Sequence, residues 1–156
     1  MSRKTRYLMV ETSISIGVNV AMTLLMAYFV FGAASRVALA GPGGLMIDLS
    51  LQTFMVALMT VLMATLVTRL RRKSGLQIDG VAASAQSWPR HPLFRAAIAA
   101  LAVTAILLPM IWLVLPMIPP PVWGMPVVLF FKTAYAVALA AVLAPPALRI
   151  AMSEPL

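Results

Sequence analysis

The chain has 156 residues, of which 62% are hydrophobic and only 10% charged, and its mean hydropathy is +0.99. Soluble domains average about 45–50% apolar and about 25% charged residues, and a soluble domain of this length could not cover so much apolar surface. The net charge of +8 would suggest nucleic acid in a soluble protein, but the basic residues sit at the ends of apolar runs, where they act as topology signals and contacts for anionic lipid. No nucleic-acid partner is therefore expected. There is no cysteine and one histidine, His91, which leaves no disulfide, thiolate or ordinary Cys/His metal chemistry.

Arg3, Lys4 and Arg6 precede an apolar run over residues 8–31, which at about 1.5 Å per residue is long enough to cross a hydrocarbon core of about 30 Å. This run is too long for a signal-peptide core and no small-residue cleavage site follows it, so it is expected to remain as the first helix. Gly41-Pro42-Gly43-Gly44 breaks the chain into a loop over 32–46. A second helix is expected over 47–70, with Asp48 as N-cap or first-turn anion and the basic run Arg69, Arg71, Arg72, Lys73 at its end. Residues 74–93 are polar and interrupted by Gly80, Pro89 and Pro92, and read as a linker in which a short interfacial helix could form. A third helix is expected over 94–118, interrupted by Pro109 and Pro116, then a turn at Pro119-Pro120-Pro121 and a fourth helix over 125–150 that contains Lys132.

These elements predict an all-α polytopic membrane protein: a first transmembrane hairpin over 1–73, a cytoplasmic linker over 74–93 and a second hairpin over 94–156. Ten basic residues flank the termini and the linker, whereas the two short loops carry Arg36 alone, so the positive-inside rule places both termini in the cytoplasm. Tyr28, Phe29, Phe31 and Trp123 would then mark one interface and Tyr7, Trp88 and Phe94 the other.

Setting Gln52-Thr53 over Lys132-Thr133, an offset of 80, aligns QTFMVALMTVLMATLVTRL with KTAYAVALAAVLAPPALRI and matches Thr53 with Thr133, Ala64 with Ala144 and Arg69 with Arg149. The preceding helices align at an offset nearer 86. Identity this sparse is compatible with a parallel internal duplication and equally with chance. The C-terminal half, with Phe130-Phe131 followed by LAAVLAPPALRI, resembles a family of small bacterial two-helix membrane proteins of unknown function. That resemblance implies a bacterial inner-membrane setting and nothing about activity.

Ionisable groups within membrane segments are the natural functional candidates. For Lys132 the expected role is to extend its four-carbon stem to the headgroups, the alternative being a buried cation facing Asp48. Glu11 is similar to the proton-coupled glutamate of small multidrug-resistance transporters, which act as dimers and exchange protons for cationic drugs. It lies nearer the interface, however, and has no aromatic cation site beside it, which favours a first-turn acid or a partner for Arg69. Asn19 is expected to make an interhelical hydrogen bond, and Ser13, Gly17 and Ala21 to form a small-residue packing stripe. Ala96/Ala100/Thr104 and Ala134/Ala138/Ala141 are expected to pack likewise, and Met55, Met59 and Met63 to fill space as adaptable packing residues. No nucleophile, acid/base pair or phosphate-cradling loop is present, so no enzyme and no cofactor are expected. The function expected is an accessory or assembly subunit packing against another membrane protein or itself, with a small proton-coupled transporter or channel as the alternative. Convergence of Glu11, Asn19 and Lys132 on one continuous cavity would favour the alternative.

Overall fold

The computed structural model describes residues 3–32, 34–75, 89 and 91–153. Four helices dominate: α1 (Arg3–Phe31), α2 (Leu45–Lys73), α3 (Pro92–Val114) and α4 (Met125–Ser153). All four are long and apolar enough to cross a membrane. A 3-10 turn (Leu115–Met117) ends α3, and the loops contribute the short strands β1 (Arg36–Ala38) and β2 (Val122–Gly124). The possible interfacial helix, and Trp88 as an interface marker, fall outside the described residues.

Each helix boundary has a local cause. Gly41 and Gly43 take positive φ values of 94° and 72°, a backbone that side-chain-bearing residues rarely adopt, and this turns the chain into α2. Gly44 is the N-cap, and a Cβ there would stand 2.9 Å from the Ala40 carbonyl. At the other end α2 does not stop at the basic run. Arg71, Arg72 and Lys73 form its last turn, where cations complement the helix dipole, and the Ser74 N–H closes on the Leu70 carbonyl. For α1, the basic segment from Arg3 is likewise already helical. Pro116 ends α3 earlier than expected, lying in the 3-10 turn, whereas Pro109 and the Pro145-Pro146 pair are carried inside helices.

The helices of each hairpin do not pack chiefly on each other. α2 lies against α3 and α4, and α1 lies against α4, whereas α1 and α2 touch far less and α3 and α4 make no extended contact. The two halves are thus interlocked. At one end the loops are tied by an antiparallel pairing in which Val37 faces Trp123, extended by hydrogen bonds from Leu39 N–H to the Pro121 carbonyl and from Met125 N–H to the Ser35 carbonyl. The element order helix, strand, helix occurs twice. α2 and α4 have 29 residues each, and residues 52 and 132, aligned at the offset of 80, are joined by a hydrogen bond.

The largest buried cluster lies at the strand end, around Phe31, Leu39, Leu45, Leu49 and Trp123, with Trp123 edge-on to Phe131 at 5.4 Å between ring centroids. A second, around Tyr7, Ala96, Leu148 and Met152, closes the opposite end. Phe31, Trp123 and Tyr7 therefore belong to the interior, and among the described residues expected at the interfaces only Tyr28, Phe29 and Phe94 are exposed.

The small-residue stripes differ from expectation in a consistent way. Ala96 and Ala100 are fully buried, but Ser13, Gly17 and Ala21 lie on the exposed side of α1, and a Cβ on Gly17 would meet nothing within 4 Å. On α4 the buried alanines are Ala136, Ala140, Ala144, Ala147 and Ala151, while Ala134, Ala138 and Ala141 face outward. The reason on α1 is polarity: Glu11, Asn19 and Thr23 occupy the same four-residue rhythm and turn inward with Tyr7, Ala27 and Phe31, which forces the small residues out.

Candidate functional site

The inward stripe of α1 faces α2 across a gap that side chains, not backbones, bridge. Near the basic end, Tyr7 Oη and Thr68 Oγ1 are hydrogen-bonded at 3.1 Å, and Arg71 Nη1 lies 2.7 Å from Glu11 Oε1. The Arg71 guanidinium also sits 5.8 Å from the centroid of the Tyr7 ring. Arg71 thus reaches the acid for which Arg69 was the expected partner. The contact is an ion pair in distance but lacks the alignment of a hydrogen bond at Oε1.

At mid-length Asn19 Nδ2 donates to Thr60 Oγ1 at 3.0 Å and to the Ser15 carbonyl at 2.9 Å, the interhelical bond that its position in α1 led us to expect. Nearer the strand end, Gln52 Nε2 donates to the Lys132 carbonyl at 3.0 Å and, more weakly, to Thr23 Oγ1 at 3.4 Å. Its Oε1 is buried and has no hydrogen-bond partner.

Lys132 does not extend to a headgroup region. Seven residues into α4, it is 1% exposed, its Nζ ion-paired with Asp48 Oδ2 and 5.3 Å from the Phe31 ring centroid. The Asp48 carboxylate, in the first turn of α2 where the helix dipole favours an anion, is only 8% exposed itself. The corrected reading has a simple cause: Asp48 and Phe31 hold the ammonium on the inward, buried face of α4, so it does not extend outward. Two further bonds hold α2 in place: Tyr135 Oη and Thr53 Oγ1 meet at 2.6 Å, and Trp112 Nε1 donates to Ser50 Oγ at 3.1 Å. Because Thr53 also donates to the Leu49 carbonyl at 2.7 Å, Tyr135 is the donor of the first pair.

The gap between α1 and α2 leaves a cavity of about 170 Å³ whose wall includes Asn19, Thr23, Asp48, Gln52 and Lys132. Most of the remaining wall is aliphatic or thioether, with Met22 and Met26 from α1 facing Met55, Met59 and Met63 from α2. A smaller cavity of about 50 Å³ adjoins it toward Glu11 and shares Val18, Asn19, Met59 and Met63 with the first. Glu11, Asn19 and Lys132 therefore do converge on one seam, but as two adjoining spaces and with both carboxylates already engaged by cations. The methionines expected to fill space instead border it.

The rest of the basic run lies at the far end of α2: Arg72 Nη1 approaches the Ala151 carbonyl at 3.5 Å, and Arg71 and Lys73 are exposed. His91 is exposed at the start of α3, and the described residues contain no group of three or more His, Cys, Asp or Glu placed to hold a metal. The partners Thr23, Gln52, Thr60 and Tyr135 were missed from sequence; the available signal was simply that each is polar within an apolar helix. Comparison with protein-family models, curated proteins and solved structures finds no match for this chain.

Proposed function

We propose that the protein is a non-enzymatic, multi-pass protein of a bacterial inner membrane, with both termini and residues 74–93 cytoplasmic and its basic ends against anionic lipid. In this reading it is an accessory or assembly subunit that packs against another membrane protein or a second copy of itself, without cofactor or nucleic acid. The observation that carries it is the outward placement of Ser13, Gly17 and Ala21 on α1, at the spacing that allows close helix approach, while the interior Glu11 and Lys132 are matched by Arg71 and Asp48. A face fit for close helix packing is left unused by the chain's own helices. Photoactivatable side chains at Gly17 and Ala21 should give protein adducts in cells, and one at exposed Leu101 on α3 only lipid adducts. Lipid adducts alone from all three positions would remove the reading.

The adjoining cavities favour a second reading, a small proton-coupled carrier or channel with its path along the α1–α2 seam. Vesicles containing the purified protein and a trapped pH dye separate the two. Proton flux above that of empty vesicles, reduced in Glu11→Gln, supports the carrier; flux no greater than in empty vesicles, or unchanged by that substitution, removes proton coupling through Glu11.

A further inference from the structure

α1 and α2 touch little, and the space that separates them has a regular shape. Val18, Met22, Met26 and Val30 stand at every fourth residue of α1, and from Leu51 to Met63 α2 presents a stripe of the same rhythm. The two stripes form the sides of a furrow that runs along the helix axes, and most of their side chains are methionine. The polar side chains beneath are engaged within the bundle: Asn19 with Thr60, Gln52 with the Lys132 carbonyl and Thr23, and Asp48 with the Lys132 ammonium. The surface left to an occupant is therefore apolar, and it suits neither an ion nor a hydrogen-bonding ligand.

Length, level and width all narrow the choice of occupant. Each side of the furrow spans twelve residue steps, about 18 Å at the helical rise of about 1.5 Å. One leaflet of a hydrocarbon core of about 30 Å is about 15 Å deep, so the furrow has the length of one lipid tail. Val30 is the last residue but one of α1, so the furrow starts at the strand end and descends toward the middle of the bundle, the course of a tail in that leaflet. Its rim, at Val18, Met22, Met26 and Leu51, is exposed on the outer surface, so in a bilayer it opens sideways into the hydrocarbon. The occupant must also be thin. A space of about 170 Å³ is close to the apolar cavity of about 150 Å³ that accepts benzene in another protein, whereas a partner helix with its side chains is about 10–12 Å across. Methionine walls adapt to a chain whose bends differ from one lipid to the next.

We propose that the furrow between α1 and α2 is a binding site for a single acyl chain of a membrane phospholipid, which lies along the methionines and joins two helices that otherwise touch little. Only the membrane setting is carried over from the preceding reading; no protein partner is required. The full-length protein, in a mild detergent that disperses the surrounding lipid, is titrated with a phosphatidylcholine carrying a diazirine in one acyl chain, irradiated, and read by intact and peptide mass. Labelling should saturate at one lipid per protein and map to the facing sides of α1 and α2. Hexadecane, a chain without a headgroup, should compete, and glycerophosphocholine, a headgroup without chains, should not. Met59→Trp, which fills the furrow, should abolish labelling, and Leu101→Trp, on the exposed side of α3, should leave it unchanged. Labelling that rises without saturation, adducts spread over all four helices, competition by glycerophosphocholine alone, or labelling undiminished in Met59→Trp would overturn the proposal. Should Met59→Trp fail to fold, the wild-type adducts decide: confinement to the facing sides of α1 and α2 supports it and spread over the bundle overturns it. A protein recovered outside membranes and soluble without detergent would overturn the membrane setting and the site with it, whereas a saturating furrow adduct stands whatever a search for protein partners finds.

Discussion

Gln52 donates its side-chain amide to the backbone carbonyl of Lys132, the residue that stands at its own position 80 places later in the chain. The two helices aligned at that offset therefore touch at aligned positions, where one carries a neutral amide and the other a cation. Asp48, one turn before Gln52 on α2, neutralises the cation that α4 brings to this joint. Stability at the joint rests on the match between Asp48 and Lys132, not on either residue alone.

Removing one member of the pair should therefore cost far more than removing both. Lys132→Met and Asp48→Asn each leave a buried group without its counter-charge, and each should lower unfolding stability in detergent by about 3–5 kcal/mol. The double variant should recover most of that loss. Equal stability of wild type and Lys132→Met would show that the ion pair contributes nothing.

A second prediction concerns the α1–α2 bridge. Asn19→Ala and Thr60→Val each remove the bond between Asn19 Nδ2 and Thr60 Oγ1, and interhelical bonds in membrane proteins average about 0.6 kcal/mol with a ceiling near 1.7. The coupling energy from a double-mutant cycle should fall in that range. Additive effects of the two substitutions would mean that the side chains act independently.

The strand pair offers a covalent test against a clean background, since the chain has no cysteine. Val37→Cys with Trp123→Cys places two thiols at directly opposed positions of an antiparallel pair, where Cα separations of about 4.5–5.5 Å suit a disulfide. Oxidation should close the bond and hold the halves together after proteolysis at a site inserted within residues 76–88. The pair Ala21→Cys with Trp123→Cys should not close within one chain, because Ala21 faces outward from α1.

Interlocking makes a prediction about the halves themselves. Residues 1–75 and 76–156 produced separately should each be degraded or aggregate, since α1–α2 and α3–α4 lack extended contacts, while co-production should restore an assembly that co-purifies. Independent stability of either half, measured by its unfolding in detergent, would contradict the packing described here.

Much of the architecture was legible in the sequence because length and hydropathy alone delimit a helix that can cross a bilayer. The four helices were found this way, with errors of a few residues where α1 and α2 continue through basic segments, since charge marks the edge of an apolar run and not the end of hydrogen bonding. What sequence could not give was the direction of each face. Ser13, Gly17 and Ala21 offered a plausible packing surface, and Glu11, Asn19 and Thr23 a competing one on the same helix; when the surroundings outside are as apolar as those inside, hydrophobicity does not choose between them. Lys132 was misread for a related reason. Its depth suited an extended stem, and the decisive facts, Phe31 and Asp48 closing around it, come from two other helices. The preference of α1 for α4 over its neighbour α2 has no local signature at all.

That preference bears on the order of events during synthesis. The helix that α1 lies against is made after the other three, and β1 has no partner strand until α1, α2 and α3 have been translated. The first two helices must therefore wait side by side with the polar groups of their seam incompletely covered, and the native arrangement arises only when α4 arrives to bring Lys132 to Asp48. The packing of these four helices is complete only with α4 in place, in contrast to the half-by-half arrangement that the two-part sequence suggests.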